Sequence, residues 1–259
     1  MATVIDELVG MVQSARHCVL FSGAGASTDC GVPDFRSPNG LWTQFKPIAF
    51  DQFIASPAAR REAWRRYFII HAAFSSAVPG PTHRALAALV QADIIRTIIT
   101  QNVDDLHRRS GIEPERIIEL HGNGTYAKCL TCQERHELDW VRCEIERTNE
   151  APVCLHCGGL VKSATISFGQ PMPEQELADA RAASLRADVF LAVGSSLQVY
   201  PAAALPIMAK HNRARLVIIN REPTPLDSMA DLVVHGELGS VLQAIARRLV
   251  SEENIESKV

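Results

Sequence analysis

The sequence predicts an α/β fold, in which a Rossmann-like, doubly wound parallel sheet is joined to a smaller zinc-binding and helical domain. Three observations predict this fold. Short apolar runs alternate along the chain with segments of helical periodicity, which is typical of parallel strands joined by helices. The runs are almost continuously apolar, as expected for strands that helices cover on both faces. Two Cys-x-x-Cys pairs lie in a region where this rhythm stops.

The elements follow from these patterns in chain order. Six apolar runs bounded by turn or polar residues are predicted strands: 17–22, 94–100, 116–120, 188–194, 215–220 and 231–236. Helical spacing of apolar residues predicts the helices: 3–15, 58–74, 82–91, 174–187, 202–211 and 238–249. Residues 49–80 and 125–162 lack the strand–helix rhythm, so we expect them to form the small helical and zinc-ribbon domain. The remaining ranges are expected to form the Rossmann-like domain: 1–48, 81–124 and 163–259.

The composition excludes several classes of protein. With 47% apolar and 21% charged residues in 259, it is that of an ordinary globular chain. A formal net charge of −3 gives no bulk attraction to nucleic acid or to an anionic membrane. The sequence shows neither a secretory leader nor an apolar stretch of the roughly 18 residues that a membrane span needs. We therefore expect a cytoplasmic protein without a nucleic-acid or membrane partner, while the oligomeric state stays open.

The cysteine spacing is the strongest single signal. Cys129 and Cys132 form one Cys-x-x-Cys pair, Cys154 and Cys157 form the other, and 21 residues separate the two pairs. Four thiolates directed at one ion make a closed tetrahedral zinc site, whose role is structural because no position is left for water. The alternative is a pair of redox or incidental cysteines. The remaining cysteines are expected to be small packing residues: Cys18, Cys30 and Cys143.

Polar and glycine residues follow four of the predicted strands. The segment "GAGAS" (23–27) follows the first strand, although it lacks the G-x-G-x-x-G spacing of dinucleotide-binding loops and a tight structural turn is an alternative interpretation. Three further strands end in polar segments: 100–104, 194–196 and 220–222. Ligands of open parallel sheets bind at the carboxyl ends of the strands. Four such segments at one edge predict a dinucleotide-sized ligand.

His121 directly follows the predicted strand 116–120 in the segment "ELHG". A histidine at a strand end is often a hydrogen-bonded structural residue. The imidazole is also the side chain best suited to general-base work near neutral pH. Its position at the same sheet edge as the glycine loop favours the functional interpretation.

The combination of motifs resembles the sirtuins, which are NAD-dependent protein lysine deacylases. The motifs occur in the sirtuin order over roughly residues 5–250: "GAGAS", "GVPDFR", "TQNVDDLH", "ELHG", the two Cys-x-x-Cys pairs, "GSSLQV" and "IIN". Each motif alone is weak, but the combination is specific. The resemblance implies that NAD is consumed as a co-substrate and that one structural zinc ion is bound.

The resemblance also implies roles for individual residues. The NAD diphosphate would be held by the glycine loop: Gly23, Ala24, Gly25 and Ser27. A cofactor loop would contain Asp34, Phe35 and Arg36. The nicotinamide ribose and nicotinamide pocket would be contacted by Gln101, Asn102 and Asp104. The phosphate and the adenosine end would be contacted by Gly194, Ser195, Ser196, Asn220, Arg221, Glu222 and Leu238. The catalytic residues would be His121, Asn102 and Asp104.

By the same resemblance, the acyl oxygen of a modified lysine attacks the ribose as nicotinamide leaves, which gives an alkylimidate. His121 would then activate a ribose hydroxyl that attacks the imidate carbon. The products are free lysine and O-acyl-ADP-ribose. The partner is therefore an acylated-lysine protein or peptide, which would thread the cleft between the two domains.

Two departures from the sirtuin pattern concern the substrate. Gln170 stands where many sirtuins have an acidic residue after Phe-Gly, and "KSA" replaces the commoner Arg/Lys-Pro-Asp. The Tyr-x-x-Arg pair of desuccinylating sirtuins is matched only by "YFII", with Arg65 or Arg66 nearby. Aromatic residues of this segment are expected either to line an acyl tunnel or to pack the helical insert: Trp64, Tyr67, Phe68 and Phe74. The preferred acyl group therefore stays open.

Other functions remain as alternatives. A mono-ADP-ribosyltransferase would use the same NAD site and differ only in the acceptor. A non-catalytic NAD-sensing module would not need the base His121. A zinc-ribbon nucleic-acid module is disfavoured because residues 133–153 carry about as many acids as bases. A dehydrogenase is disfavoured by the missing G-x-G-x-x-G.

Overall fold

The computed structural model describes residues 2–34 and 40–250. Two predicted cofactor-loop residues, Phe35 and Arg36, lie outside the described residues. Among the described residues, no helix is both long enough and apolar enough to span a membrane.

A six-stranded parallel sheet forms the centre of the molecule. Its strands in chain order are β1 (Cys18–Ser22), β2 (Ile95–Thr100), β3 (Ile117–Glu119), β7 (Val189–Val193), β8 (Arg215–Ile219) and β9 (Leu232–Val234). The spatial order is β3-β2-β1-β7-β8-β9, so the strand order reverses between β1 and β7. This is the doubly wound fold that the sequence predicts, and its ligands bind where the order reverses.

A smaller antiparallel sheet lies between β3 and β7 in the chain. It consists of β4 (Gly122–Cys129), β5 (Arg135–Glu137) and β6 (Val161–Thr165), in the order β5-β4-β6. The left-handed Gly122 allows β4 to start against β6, because a Cβ there would lie 2.0 Å from the carbonyl oxygen of Ala164. The predicted zinc ribbon is built on this sheet.

Helices cover the strands and fill the insertions. In the described ranges these are α1 (Ala2–Gln13), α2 (Leu41–Gln44), α3 (Phe50–Ala55), α4 (Pro57–Ser76), α5 (Pro81–Gln91), α6 (Leu106–Arg109), α7 (Leu138–Thr148), α8 (Glu174–Arg186), α9 (Ala204–His211) and α10 (Leu238–Leu249). The long helix α4 begins with Ser56 as its N-cap, whose Oγ accepts from the N–H of Ala59, and Pro57 follows in the first turn.

The core has two layers, one on each face of the parallel sheet. Along β1, Cys18 and Leu20 pack into the layer with α1, α5 and α10, while Val19 and Phe21 pack into the layer with α8 and α9. All five residues of β1 are buried. A strand covered on both faces has no polar face to show, which explains why these strands appear as continuous apolar runs in the sequence.

A third cluster joins α4 to the small sheet. Trp64 of α4 is buried with Val141 of α7 and Val161 of β6, and its Nε1 donates to the carbonyl oxygen of Val161 at 3.3 Å. We therefore propose that residues 49–80 and 125–162 form one small domain, although they are far apart in the sequence.

Candidate active site

A cleft of about 1040 Å³ opens at the carboxyl ends of β1, β2, β7 and β8. One wall is formed by the loops of the parallel sheet. The opposite wall is formed by α4 and by the segment that follows β6. The cleft therefore lies where the strand order reverses and extends to the small domain.

The glycine loop after β1 packs directly against the loop after β7. The N–H of Gly23 donates to the carbonyl oxygen of Val193 at 3.0 Å, and the N–H of Gly25 donates to that of Gly194 at 2.8 Å. A Cβ on Gly23 would lie 2.7 Å from the Gly194 oxygen. The glycines are thus needed for close approach of two loops, whatever ligand the loop also contacts.

Substitution of Gly25 tests this contact. A Cβ there would lie 2.8 Å from the Cα of Gly194 and 2.9 Å from its oxygen, and both are backbone atoms that cannot rotate away. We expect Gly25→Ala to lower the free energy of unfolding in urea by about 1–3 kcal/mol. The control is Gly10→Ala in α1, where the Cβ meets nothing within 4 Å. This control is expected to raise stability by up to about 1 kcal/mol. Equal stability of Gly25→Ala and wild type would contradict the argument.

Gln101 connects the ends of three strands. Its backbone N–H donates to the carbonyl oxygen of Ser22 at 3.0 Å, and its Nε2 donates to the Oγ of Ser195 at 2.9 Å. The side chain thereby ties β2 to β1 and β7 across the floor of the cleft. The main-chain carbonyl oxygen of Gln101 contacts His121.

Behind the floor lies a buried polar triad. The Nδ2 of Asn102 donates to the Oγ of Ser27 at 3.1 Å, and that hydroxyl donates to the Oδ2 of Asp104 at 2.6 Å. The other oxygen of Asp104 accepts the N–H of Leu106 at 3.0 Å. Asp104 is only 6% exposed. Asp104 and Ser27 therefore hold Asn102 in place from behind.

A second buried layer supports the strand ends. Ser22 ends β1 and Thr100 ends β2, and the Ser22 Oγ donates to the Thr100 Oγ1 at 2.8 Å. The same serine oxygen lies 2.9 Å from Nε2 of His107. Burial, with a smaller contribution from His83, lowers the pKa of His107 to about 3, so its imidazole is neutral. Thr100 belongs to the polar segment 100–104 that the sequence marks, whereas Ser22 and His107 were not identified as site residues, although a polar residue that ends an apolar strand is a usable signal.

His121 lies at the cleft surface after β3. Its Nδ1 is 3.1 Å from the carbonyl oxygen of Gln101. A carbonyl oxygen only accepts, so Nδ1 carries the proton in the neutral ring and Nε2 is the basic nitrogen. The ring orientation is thus fixed by the main chain of the neighbouring strand.

The far end of the cleft is lined by the loop after β8 and the start of α10. The Nδ2 of Asn220 donates to the carbonyl oxygen of Glu222 at 2.7 Å, which closes the loop on itself. Arg221 pairs with Glu237 at 3.1 Å across the mouth, and both side chains are exposed. Leu238 is the buried first residue of α10.

The structure brings most of the predicted site residues into one cleft. Its lining includes Gly23, Ala24, Gly25, Asp34, Gln101, Asn102, His121, Gly194, Ser195, Ser196, Asn220, Arg221, Glu222 and Leu238. Ser27 and Asp104 are predicted as direct contacts, but they are placed behind the cleft floor and not among its lining residues.

The small domain contributes an apolar wall. Trp64, Tyr67 and Phe74 of α4 line the cleft, whereas Phe68 is turned towards α7 and the small sheet. Other lining residues were not identified from the sequence: Trp42, Pro47, Ile48, Phe53, Ile166 and Met172. They come from separate loops and elements, so no local spacing marks them.

Lys162 of β6 is a buried cation in the same wall. Its Nζ donates to the carbonyl oxygens of Thr165 at 2.5 Å and Ser163 at 3.4 Å, and the residue is only 3% exposed. Burial lowers the pKa of Lys162 from 10.5 to about 7. The folded protein therefore holds this proton less tightly than the unfolded chain.

The pKa of Lys162 predicts a pH-dependent stability. Between pH 7 and 10.5 the unfolded chain binds more protons at this residue, so its contribution makes the folded state more stable as the pH rises. Lys162→Met removes this contribution. We expect the unfolding free energy of the variant, minus that of wild type, to fall as the pH rises from about 7 to about 10 in urea titrations. Lys46→Met, at an exposed lysine, is the control. A difference independent of pH would contradict the burial argument.

The four paired cysteines converge at the edge of the small sheet. The Sγ atoms of Cys129 and Cys157 are 3.4 Å apart, and those of Cys132 and Cys154 are 3.7 Å apart. All four Sγ atoms lie within 4.8 Å of one another. The N–H groups of Thr131 and Cys132 point at the Cys129 Sγ at 3.4 and 3.5 Å, as is usual around zinc thiolates. The donor set and its spacing fit a closed structural zinc site.

Comparison with known proteins identifies relatives of the whole chain. A sequence model of the Sir2 family matches residues 23–201. NAD-dependent protein deacetylase 1 of Bradyrhizobium diazoefficiens is 52% identical over 238 residues, which are 92% of this chain and 93% of that protein. NAD-dependent protein deacylase 2 of Pyrobaculum aerophilum is 40% identical over 245 residues, which are 93% of each chain.

Solved structures show the same similarity. A structure of Sir2Tm bound to a propionylated peptide matches with a TM-score of 0.83 and 31% identity, over 94% of this chain and 98% of that one. A structure of Sir2 with p53 peptide and NAD⁺ matches with a TM-score of 0.84 and 31% identity, over 94% and 98% of the two chains.

Proposed function

The chain belongs to the Sir2 family, and we infer from this membership and from the cleft that the protein is an NAD-dependent protein lysine deacylase. It transfers the acyl group of a modified lysine to ADP-ribose, and it releases nicotinamide and free lysine. The observation that carries this proposal is the oriented imidazole of His121 in the same cleft as the glycine loop. A module that only binds NAD would not need this base.

NAD fits the cleft as an extended co-substrate. The glycine loop allows a diphosphate to approach the backbone closely, as such loops do in other nucleotide sites, while the N–H groups of Gly23 and Gly25 are bonded to Val193 and Gly194. We propose that residues 220–222 and Leu238 contact the adenosine end, and that Asn102 contacts the nicotinamide ribose from the floor. Ser27 and Asp104 act as positioning residues, because they reach the co-substrate only through Asn102.

His121 is the proposed general base. Its Nε2 would take the proton of a ribose hydroxyl, while the Gln101 carbonyl stabilises the proton on Nδ1 and the imidazolium that forms. The bond from Gln101 to Ser195 holds that strand end rigid. The base is therefore fixed by the same residue that forms part of the cleft floor.

The acylated peptide is proposed to lie between the parallel sheet and the small domain. The end of β6 and the segment after it, residues 163 and 165–170, line this part of the cleft. The Oε1 of Gln170 accepts the N–H of Ser167 at 3.2 Å and closes the turn. Related structures hold acetylated or propionylated peptides. Extended peptides bind at such edges mainly through backbone hydrogen bonds.

We propose that uncharged acyl groups are preferred over succinyl. The wall facing His121 carries Tyr67, whose hydroxyl donates to a main-chain carbonyl. Lys162 donates to two carbonyls, and Arg66 pairs with Glu62 at 2.5 Å. These three groups are thus already bonded to the protein, and a succinyl carboxylate buried there would have to compete for them to replace its lost hydration.

The test uses peptides that carry acetyl, propionyl, butyryl, longer-chain, succinyl or lipoyl lysine, incubated with and without NAD. Mass spectrometry should show loss of the acyl group only with NAD, and should show slower removal of succinyl than of the uncharged groups. Deacylation without NAD, or ADP-ribose attached to protein without deacylation, would overturn the proposal. The second result would favour the transferase alternative. The cytoplasmic location and the absence of nucleic-acid partners stay predictions. The oligomeric state stays open.

A further inference from the structure

We propose a second metal site, formed by Asp29, Cys30 and His83 and suited to Zn²⁺. From the sequence, Cys30 is expected to be a small packing residue. Its Sγ instead lies 3.3 Å from Oδ1 of Asp29 and 3.3 Å from Nδ1 of His83. The three ligand atoms all lie within 4.8 Å of one another. Thiolate, imidazole and carboxylate are the three side-chain donors that zinc prefers.

The donors are fixed before any metal binds. The N–H of Gly80 donates to the Sγ of Cys30 at 3.1 Å, and the N–H of Thr82 donates to Oδ2 of Asp29 at 2.9 Å. The second bond leaves Oδ1 directed at the sulfur. His83 is completely buried, so its ring cannot turn to solvent. Main-chain donors that orient ligands in this way are typical of metal sites.

Metal binding at these three groups would displace one proton. The Cys30 thiol carries one proton, which it donates to Asp29 when Nδ1–H of His83 donates to the sulfur, or to His83 in the other tautomer. The His83 Nε2 is buried and has no hydrogen-bond partner among the described residues. A divalent cation would accept an electron pair from sulfur, nitrogen and oxygen together, and it would replace the single thiol proton.

The site differs in kind from the four-cysteine cluster. Asp29 is exposed and Cys30 is half-buried, so water can complete the coordination of an ion held by three protein ligands. Such open sites exchange metal more readily than closed ones. The site also adjoins the cleft, because Thr28 and Asp34 on either side of the segment line it. A metal ion bound to Asp29 and Cys30 would therefore be held by the segment that carries these two cleft residues.

The experiment measures metal stoichiometry on the full chain with its cysteine-cluster zinc in place. The protein is dialysed against buffer with micromolar Zn²⁺, and bound zinc per chain is measured by mass spectrometry of the metal. Wild type should bind two equivalents. Cys30→Ser should weaken the second equivalent at least about tenfold, and Asp29→Asn, at an exposed residue, should weaken it similarly. Cys143→Ser, which changes an exposed cysteine outside both clusters, should still bind two.

Binding of one equivalent by wild type would overturn the proposal. Two tight equivalents in both Cys30→Ser and Asp29→Asn would overturn it as well, because the second ion would then lie elsewhere. Thermal unfolding followed by circular dichroism shows whether each variant is folded; if Cys30→Ser is not, Asp29→Asn decides the question alone. The readout is metal content, so it is independent of whether the deacylase assignment holds.

Discussion

The His121→Ala variant is expected to lose deacylation by about 10²- to 10⁴-fold in kcat, which is the usual contribution of a positioned general base. The reason is the geometry of one nitrogen. Because Nδ1 is bonded to the Gln101 carbonyl, Nε2 is the basic nitrogen of this cleft-lining side chain, and alanine supplies no replacement. The rate is measured as product formed from NAD and an acetylated peptide.

The outcome separates a catalytic from a structural histidine. His121→Ala should retain NAD binding, since the glycine loop and residues 220–222 are untouched. The matched control is His211→Ala, at an exposed histidine of α9 that does not line the cleft. Its rate should equal that of wild type. A loss of less than about tenfold in folded His121→Ala would contradict the assignment of the base.

The second large effect is expected from Cys154→Ala. This buried cysteine belongs to the four-cysteine cluster and packs in the third core cluster with Trp64 and Val161. Structural zinc contributes folding free energy directly, with apparent binding energies of about 10–16 kcal/mol. Loss of one thiolate should therefore release the ion, unfold the small domain and abolish deacylation, since Trp64 also lines the cleft.

The measurements are zinc content, circular dichroism and deacylation rate on the same sample. Cys143→Ala provides the control, because Cys143 is exposed on α7 and stands outside the cluster. It should keep one zinc ion at the cysteine cluster and full activity. Full zinc content and activity in Cys154→Ala would show that the cluster does not hold the domain together.

The fold could be predicted largely because buried parallel strands leave a simple pattern. In β1, four consecutive apolar residues are followed by Ser22, and the structure distributes them to both faces of the sheet. The helices could be predicted because burial of one face leaves a helical spacing of apolar residues. In α10 the buried residues are Leu238, Val241, Leu242 and Ile245. The prediction of an α/β fold with an attached zinc-binding domain is confirmed.

The site could be predicted only in part. Polar residues mark the loops that follow the strands, and most of the site residues predicted from these loops line the cleft. Side-chain direction decides which residues lie behind the cleft floor. The position of Asp104 behind the floor therefore could not be predicted from its place in the sequence. In the apolar wall, Trp64 and its neighbours on α4 were named from the sequence as tunnel or packing residues. The pair Trp42 and Phe168 was missed, since their rings meet at 5.3 Å although more than a hundred residues separate them. Such contacts arise from tertiary packing alone.

The fate of the acyl group tests the proposed deacylase activity most directly. Wild-type protein is incubated with NAD and an acetylated peptide, and all products are quantified by mass spectrometry. We expect nicotinamide, free-lysine peptide and O-acetyl-ADP-ribose in equal amounts, because the ADP-ribose is the acyl acceptor. Free acetate with intact NAD would contradict acyl transfer to ADP-ribose. Nicotinamide release with ADP-ribose bound to protein and the acetyl group retained on lysine would contradict it as well.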